Sequence, residues 1–540
     1  MSNTKKLLSI NNLKKYFPIA KSSIFQREQF FVKANEDISI DIHEGETFSL
    51  VGESGCGKST LGRVILQLYN QTAGSTIYYG RMISDIAPRY VYNILINPNK
   101  YITAYNKMFA KAEEAKKIVE DAGGDEKASF IQLQNRNILT AEAATLFAQA
   151  ARVLGGFFSL EDPVPGAKLE LARFKADTAL ADQKRINKKL GINIDLLTDQ
   201  IENSTDSKKT ISLEKKLNKL KAKLASGKEK ENALRAVRNE RLAEVRKYKE
   251  QFANDEKFQE CEKYSDGGID LSLLKYKEMR GLRKDLQIIF QDPYSSLNPR
   301  MTIGQIIEEG LVTHEFFKHG SNKMKEYILE TMRSAGLQDY MLHRYPHQFS
   351  GGQRQRICIA RALAVQPKFV VCDECVSALD VSIQSQIINL LDELKEKNGL
   401  TYLFISHDLS VVRYISDRIG VMYLGNLVEV GDTETIFSDP RHPYTVALLS
   451  SIPTTDIDDL RKERIILEGN IPSPVRPPEG CKFHTRCYMA CEKCKRVPPE
   501  LVEIEKGHFV ACHFPEKKLD EKGNYLFKIN KEPKVEEPKE

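Results

Sequence analysis

The sequence predicts an α/β fold with a mostly parallel sheet, opened by a long helical insertion and followed by a small cysteine-bearing extension. Three observations carry that expectation. Residues 1–88 and 280–435 alternate short apolar runs with turns and helical stretches, as strand–helix units do. Between them, from about 100 to 262, only Pro163 and Pro165 interrupt a texture rich in Ala, Lys, Glu, Leu and Asn. Near the end, five of the ten cysteines (Cys481, Cys487, Cys491, Cys494 and Cys512) fall within 32 residues.

Length and charge exclude more than they assign. The 540 residues correspond to about three or four domains as a soft prior. With 80 Lys+Arg against 74 Asp+Glu, the formal charge of +6 is too diffuse to point to nucleic acid, and no such partner is expected. Hydrophobic residues make up 41%, a little low for a globular chain, so a polar segment dilutes a normal core. No run nears the roughly 20 apolar residues of a membrane span, and the start, MSNTKKLLSINNLKKYF, lacks the apolar stretch of a signal peptide. A soluble, cytoplasmic, multi-domain chain is expected.

Taken in order, Phe30–Ala34 and Asp37–Ile40 read as strands leading into Glu46–Val51, which ends in a glycine-rich loop. Gly52-Glu53-Ser54-Gly55-Cys56-Gly57-Lys58-Ser59-Thr60 fits G-x-x-x-x-G-K-[ST] and opens a helix over Leu61–Leu68. The glycines let backbone N–H groups wrap the β- and γ-phosphates at a positive helix end. Lys58 neutralises phosphate charge and the Ser59 hydroxyl reaches Mg²⁺. This is a nucleotide site. Ser75–Asp85 reads as a hairpin, after which the insertion begins.

Within the insertion, helices are expected over Ala141–Leu154 and Ala167–Leu190, separated by Gly155-Gly156 and Pro163–Gly166. Leu213, Leu217, Leu220 and Leu224 recur with 4-3-4 spacing, as in an amphipathic helix or short coiled coil. Gly227 interrupts that stripe, and Leu234, Val237 and Val245 continue it loosely. A helical insertion packed on itself is the plain reading; a partner-binding arm is the sharper one.

Downstream, Lys368–Glu374 is a buried-type strand ending in two acids. Asp373 suits Mg²⁺, usually through water, and Glu374 suits polarisation of an attacking water as general base. His347-Gln348-Phe349-Ser350-Gly351-Gly352-Gln353-Arg354-Gln355-Arg356 then precedes a helix over Ile357–Val365. Its Ser-Gly-Gly turn at a helix start is a second anion cradle.

With that second cradle the sequence resembles the ABC-transporter ATPases. The resemblance implies a RecA-like core with an antiparallel β-subdomain and an α-helical subdomain. It also implies a head-to-tail dimer in which Ser350, Gly351, Gly352 and Gln353 contact ATP held by the opposite subunit, with Asp380 in the crossing Ser377-Ala378-Leu379-Asp380 loop. Gln291 of Phe290-Gln291-Asp292 resembles the glutamine that contacts Mg²⁺ and faces the membrane subunit. His407 of Ile405-Ser406-His407-Asp408 resembles the histidine near the γ-phosphate. An aromatic near residue 17 stacks on adenine in that family, Phe17 by spacing, with Tyr16 the alternative. ATP and Mg²⁺ are the implied cofactors. Cys375, where the family usually has Pro or Ala, is a departure expected to have little effect.

Gly52–Arg63, Phe290–Met301, and Arg441-His442-Pro443-Tyr444-Thr445 with Leu448–Pro453 narrow the resemblance to the oligopeptide/dipeptide importers, and closely to their F-type ATPase subunit. This implies a second homologous ATPase subunit in a heterodimer, two transmembrane permease subunits, an extracellular peptide-binding protein acting indirectly, and a peripheral place on the cytoplasmic face of the membrane. A soluble ABC-type ATPase acting on DNA, SMC-like or UvrA-like, is the alternative.

Cys481-x5-Cys487-x6-Cys494-x17-Cys512 provides four thiolates, suited to Zn²⁺ or an iron–sulfur cluster. The segment resembles the C-terminal extension that carries a [4Fe-4S] cluster in some peptide-importer ATPases, so a cluster is expected, with Zn²⁺ as the alternative and Cys491 as a possible substitute ligand. The expected divisions are the first ATPase part over 1–88, the insertion over 89–266, the second ATPase part over 267–435, the extension over 436–515 and a disordered tail over 516–540. Lys58 and Gln291 are 233 residues apart, far more than relatives need, so the insertion's ends are expected to lie close together.

Overall fold

Two sheets organise the chain in a computed structural model that describes residues 5–20, 30–124, 130–202, 207–452 and 465–515. The expected tail lies outside the described residues. The first sheet is antiparallel, ordered β2-β1-β4-β5, from β1 (Lys6–Pro18), β2 (Phe31–His43), β4 (Ala73–Tyr78) and β5 (Ile269–Asp270). The second has eight strands in the order β11-β12-β10-β9-β3-β8-β7-β6. These are β3 (Thr47–Val51), β6 (Leu286–Ile289), β7 (Phe369–Asp373), β8 (Thr401–Ile405), β9 (Arg418–Tyr423), β10 (Asn426–Asp432), β11 (Val502–Glu505) and β12 (His508–Val510).

Strands β9, β3, β8, β7 and β6 run parallel. In β3, β7 and β8 every residue is buried, as expected where layers cover both sheet faces. One apolar core joins the antiparallel sheet to helix Lys58–Ile65, and another joins the parallel sheet to helices Ile303–Thr313, Asn322–Ser334 and Gly351–Ala364. Hydroxyl caps start the last three of these helices: Thr302 and Ser350 form capping boxes with Gln305 and Gln353, and Ser321 accepts from Met324 N. No helix among the described residues is long and apolar enough to cross a membrane.

The expected hairpin over Ser75–Asp85 does not close on itself. The chain leaves β4 through a turn and enters a helix at Ile83, and β4 lies between two antiparallel partners, β1 and β5, with Tyr78 facing Ile269 and Ile77 facing Asp270 on the β5 side. Between them the regular elements among the described residues are all helices, and the β4–β5 pairing makes the ends of the inserted segment neighbours in one sheet. Arg152 and Tyr79 tie the join by bonding Asp266, at 2.7 Å in each case. Phe157, Phe158, Phe174 and Phe258 give the insertion its own core.

Two helices dominate the insertion, Val164–Glu202 with 39 residues and Ser207–Glu250 with 44, each roughly 60 Å long at 1.5 Å per residue. They lie antiparallel: Glu170 meets Lys249 at 3.0 Å, Asp177 meets Arg238 at 2.9 Å, and Asn187 meets Gly227. Leu213 is buried in the seam, and Leu217, Leu220 and Leu224 are half-buried. Gly227 does not break the helix. A Cβ there would come within 2.2 Å of Asn187 Oδ1, so the glycine lets the two helices approach closely at this point.

Candidate functional site

The glycine-rich loop leaves β3 at Gly52 and enters helix Lys58–Ile65. Two of its glycines are required by space as well as by backbone angle. At Gly52 φ is +145°, and a Cβ would sit 2.2 Å from Met422 O; at Gly57 φ is +103°, and a Cβ would sit 2.1 Å from Ala34 O. The loop curls around the ammonium of Lys58, which donates to Gly52 O at 2.7 Å and Glu53 O at 3.0 Å. Burial pushes the neighbouring Cys56 thiol up. Ser54 and Gly55 form the exposed side of the loop, and Ser59 and Thr60 follow in the first helical turn.

Three parallel strands deliver the remaining groups to the same sheet end. Asp373 ends β7; its Oδ2 accepts from Arg63 Nη2 at 3.1 Å, while its buried Oδ1 has no hydrogen-bond partner among the described residues. Glu374 follows with φ +48°, a left-handed conformation that costs energy for a residue with a Cβ and often marks function. Gln291, just past β6, donates to Glu374 Oε2 at 2.7 Å, and His407, just past β8, has Nδ1 3.9 Å from the same oxygen. Residues from three distant stretches of sequence thus meet at one carboxylate. Behind them Cys375 is buried and shares a hydrogen bond with the Cys372 thiol, which that contact and burial push well up.

The Ser-Gly-Gly turn and the Asp380 loop are not brought to this cluster. Ser350 and Gln353 bond to each other, and Asp380 precedes helix Val381–Asn398. No hydrogen bond joins them to Lys58 or Ser59 among the described residues. Gly352 is sterically required, since a Cβ would lie 2.5 Å from Ile383 Cγ2. On β1, the Tyr16 hydroxyl is committed to Glu36 Oε1 at 2.8 Å, whereas the Phe17 ring meets only the edge of Tyr69 and the Lys15 ammonium.

The extension packs onto the loop. Arg486 makes a two-pronged ion pair with Glu53, at 2.8 and 3.1 Å, and Tyr444 Oη accepts from Glu53 N at 2.9 Å. Lys482 donates to Glu36 Oε2 and Leu424 O. Burial alone would raise the Glu36 carboxyl, but Lys482 and Lys33 override it and hold it down at about 2. Arg63, Tyr444, Lys482 and Arg486 were not singled out from the sequence. All four lie inside motifs noted for other residues, and no spacing rule joins Arg486 to a residue 433 positions away.

Cys481, Cys487, Cys494 and Cys512 line a single cavity with His442, Phe483 and Met489; Cys491 is outside it, with its Sγ 3.7 Å from Cys494 Sγ. Burial raises all four lining thiols, and neighbouring thiols add to it at Cys487 (about 12) and Cys512 (about 11). All ten cysteines are free. The donor chemistry suits a soft metal or cluster, yet among the described residues no three His, Cys, Asp or Glu side chains are gathered at ligating geometry.

Comparisons with known proteins agree with these landmarks. A family model described as ABC transporter matches residues 35–152 and 256–377, and one described as oligopeptide/dipeptide transporter, C-terminal region, matches 428–494. The putative oligopeptide transport ATP-binding protein YkfD of Bacillus subtilis is 53% identical over 249 residues, 46% of this chain and 75% of that protein. The oligopeptide transport ATP-binding protein AppF of Bacillus subtilis is 52% identical over 248 residues, 46% of this chain and 75% of its own length. The dipeptide transport ATP-binding protein DppF of Haemophilus influenzae is 52% identical over 230 residues, covering 43% and 69%. Among solved structures, cbiO1 from Clostridium perfringens aligns with 81% of this chain and 92% of its own, at 14% identity and a TM-score of 0.39.

Proposed function

The chain belongs to the ATP-binding proteins of oligopeptide and dipeptide ABC transporters, and on that premise we propose that it hydrolyses ATP to power peptide import. The alternative of an ATPase acting on DNA is not supported. The observation that carries the reading is the meeting of Gln291 and His407 at Glu374, beside the phosphate loop.

Lys58 stabilises charge on the transferred phosphoryl group, and the loop N–H groups from Gly52 to Thr60 hold the phosphates. Glu374 takes the proton of the attacking water, oriented by Gln291 and His407. Ser59, Gln291 and Asp373 would hold Mg²⁺, and the unpartnered buried Oδ1 of Asp373 fits that task. The metal would supply neutralisation of phosphate charge. Phe17 is the adenine platform. Ser350, Gly351, Gly352, Gln353 and Asp380 serve a second ATPase subunit's site, which accounts for their distance from Lys58; that subunit is a homologue in a heterodimer. Permease subunits convert closure of the dimer into alternating access, with a peptide-binding protein on the far side, and the chain sits on the cytoplasmic face of the membrane. Cys481, Cys487, Cys494 and Cys512 would hold a [4Fe-4S] cluster, with Zn²⁺ as the alternative; the four thiols line one cavity but are not gathered at ligating geometry, and iron and sulfide assays on anaerobically purified protein test the assignment.

Glu374→Gln is expected to retain ATP binding and lose at least about 100-fold in turnover, trapping the closed dimer. Turnover within a few fold of the parent would remove Glu374 from its assigned role.

A further inference from the structure

The inserted helix Ser207–Glu250 has two unlike halves. Over 231–250 four of its six basic side chains are engaged: Arg235 with Glu231, Arg238 with Asp177, Arg241 with Glu244, and Lys249 with Glu170 and Glu262. Over 207–230 it carries nine lysines against two glutamates. Lys215, Lys216, Lys219, Lys221, Lys223, Lys228 and Lys230 are all exposed, and none is in an ion pair among the described residues. Lys216, Lys219, Lys223 and Lys230 recur at i, i+3, i+7 and i+14, which sets them on one flank of the helix. That flank lies roughly a quarter-turn from the seam held by Leu213 and Gly227 and runs for about 20 Å. Glu214 and Glu229, the two acids of this half, fall outside that flank.

From this flank we infer that the distal half of the inserted hairpin is an electrostatic contact for the anionic phospholipid surface of the bilayer that holds the transporter. The inference rests on the reading above that the chain works beside a membrane. Clustered lysines next to a bilayer bind acidic headgroups additively, and the attraction fades within a Debye length. Most apolar positions of the hairpin are spent on its own seam, and the exposed ones, Ile186, Ile211 and Val237, stand singly, so the contact is made by charge at the surface and does not insert. Nucleic acid is the other polyanion such a flank could meet. Between residues 175 and 247 there is no Phe, Tyr, Trp or His, so the arm offers no stacking platform for bases, and the observations favour the lipid.

The test uses the full chain in co-sedimentation with vesicles of phosphatidylglycerol and phosphatidylcholine, against phosphatidylcholine alone. Binding is expected only to the anionic vesicles at about 0.1 M salt and is expected to disappear near about 0.5 M. The combined variant Lys216→Glu, Lys219→Glu, Lys223→Glu and Lys230→Glu is expected to bind at least tenfold more weakly, with ATP binding and turnover unchanged as the control for folding. Equal vesicle binding by parent and variant, or no binding by the parent, overturns the inference. So does a blunt-ended DNA duplex that binds through the same four lysines more tightly than the vesicles do. Peptide-stimulated ATPase activity of the complex with its permeases, measured separately, reports on the transport reading: its loss alongside intact vesicle binding strikes that reading, and the reverse pattern strikes the lipid contact alone.

Discussion

The chain carries two additions to its ATPase core, and they are attached in opposite ways. The cysteine-bearing extension is continuous with the core: β12 pairs with β10, placing Val510 opposite Glu429, and His508 meets Glu429 in a fully buried pair at 2.8 Å. Its Arg486 and Lys482 reach the phosphate loop and β2 from mostly buried positions. The helical insertion joins the core at the β4–β5 pairing, and its long arm meets the helical subdomain through Lys189–Glu315 and Lys323–Asp195, pairs whose members are all about half exposed. Low dielectric makes the first kind of attachment strong and hard to break without leaving a buried charge, while water and salt make the second weak. The extension is therefore coupled to the nucleotide site, and the arm is free to address something outside the molecule.

The largest expected effect lies where the extension meets the sheet. His442 is fully buried, and burial, opposed only by Glu429, lowers its pKa from 6.5 to about 4. The unfolded chain then binds more protons than the folded one below the ordinary value. Stability is complete above about pH 6.5 and falls as pH drops toward 4, by about 3 kcal/mol from this group alone. His442→Asn keeps the cap on Tyr444 N and is expected to flatten that slope in denaturant melts; an unchanged slope would place the acid sensitivity elsewhere.

Next comes Arg486→Ala, which leaves Glu53 without its two-pronged partner. ATP affinity is expected to fall about tenfold, on the order of 1–2 kcal/mol, by calorimetry. Undiminished affinity would break the comparison, since the extension would then be packed beside the loop without acting on it. Gly227→Leu should force the seam apart and raise amide exchange over residues 183–231 by about tenfold while ATP turnover stays the same. A fall in turnover would mean that the arm is coupled after all. The smallest effect is expected from Glu315→Gln, under about 1 kcal/mol and lost in salt, read as a change in exchange at 186–195.

Much of the site was legible because its chemistry is local. A loop that cradles phosphate needs glycines at fixed offsets, and Gly52 and Gly57 are held by left-handed angles and backbone neighbours at those offsets. Ser350 and Gln353 form a capping box within four residues. Features made by tertiary proximity were harder to read. Ser75–Asp85 looked like a hairpin because half of one is there; the other strand arrives at Ile269. Gly227 interrupts the leucine stripe in sequence, and what it does there depends on the other helix: glycine disfavours helix, but a helix tolerates it where a second helix must come close.

By itself the sequence determined the nucleotide chemistry, the α/β class, the presence of a helical insertion and the grouping of the cysteines. Each of these is written in spacing along a few tens of residues. Only the tertiary structure decided that Gln291 and His407 share one oxygen of Glu374, that Cys491 stands outside the cavity of the other four thiols, and that Arg486 grips the phosphate loop. Ion pairs and side-chain contacts across hundreds of residues depend on which surfaces the folded layers bring together, and no local pattern encodes that choice.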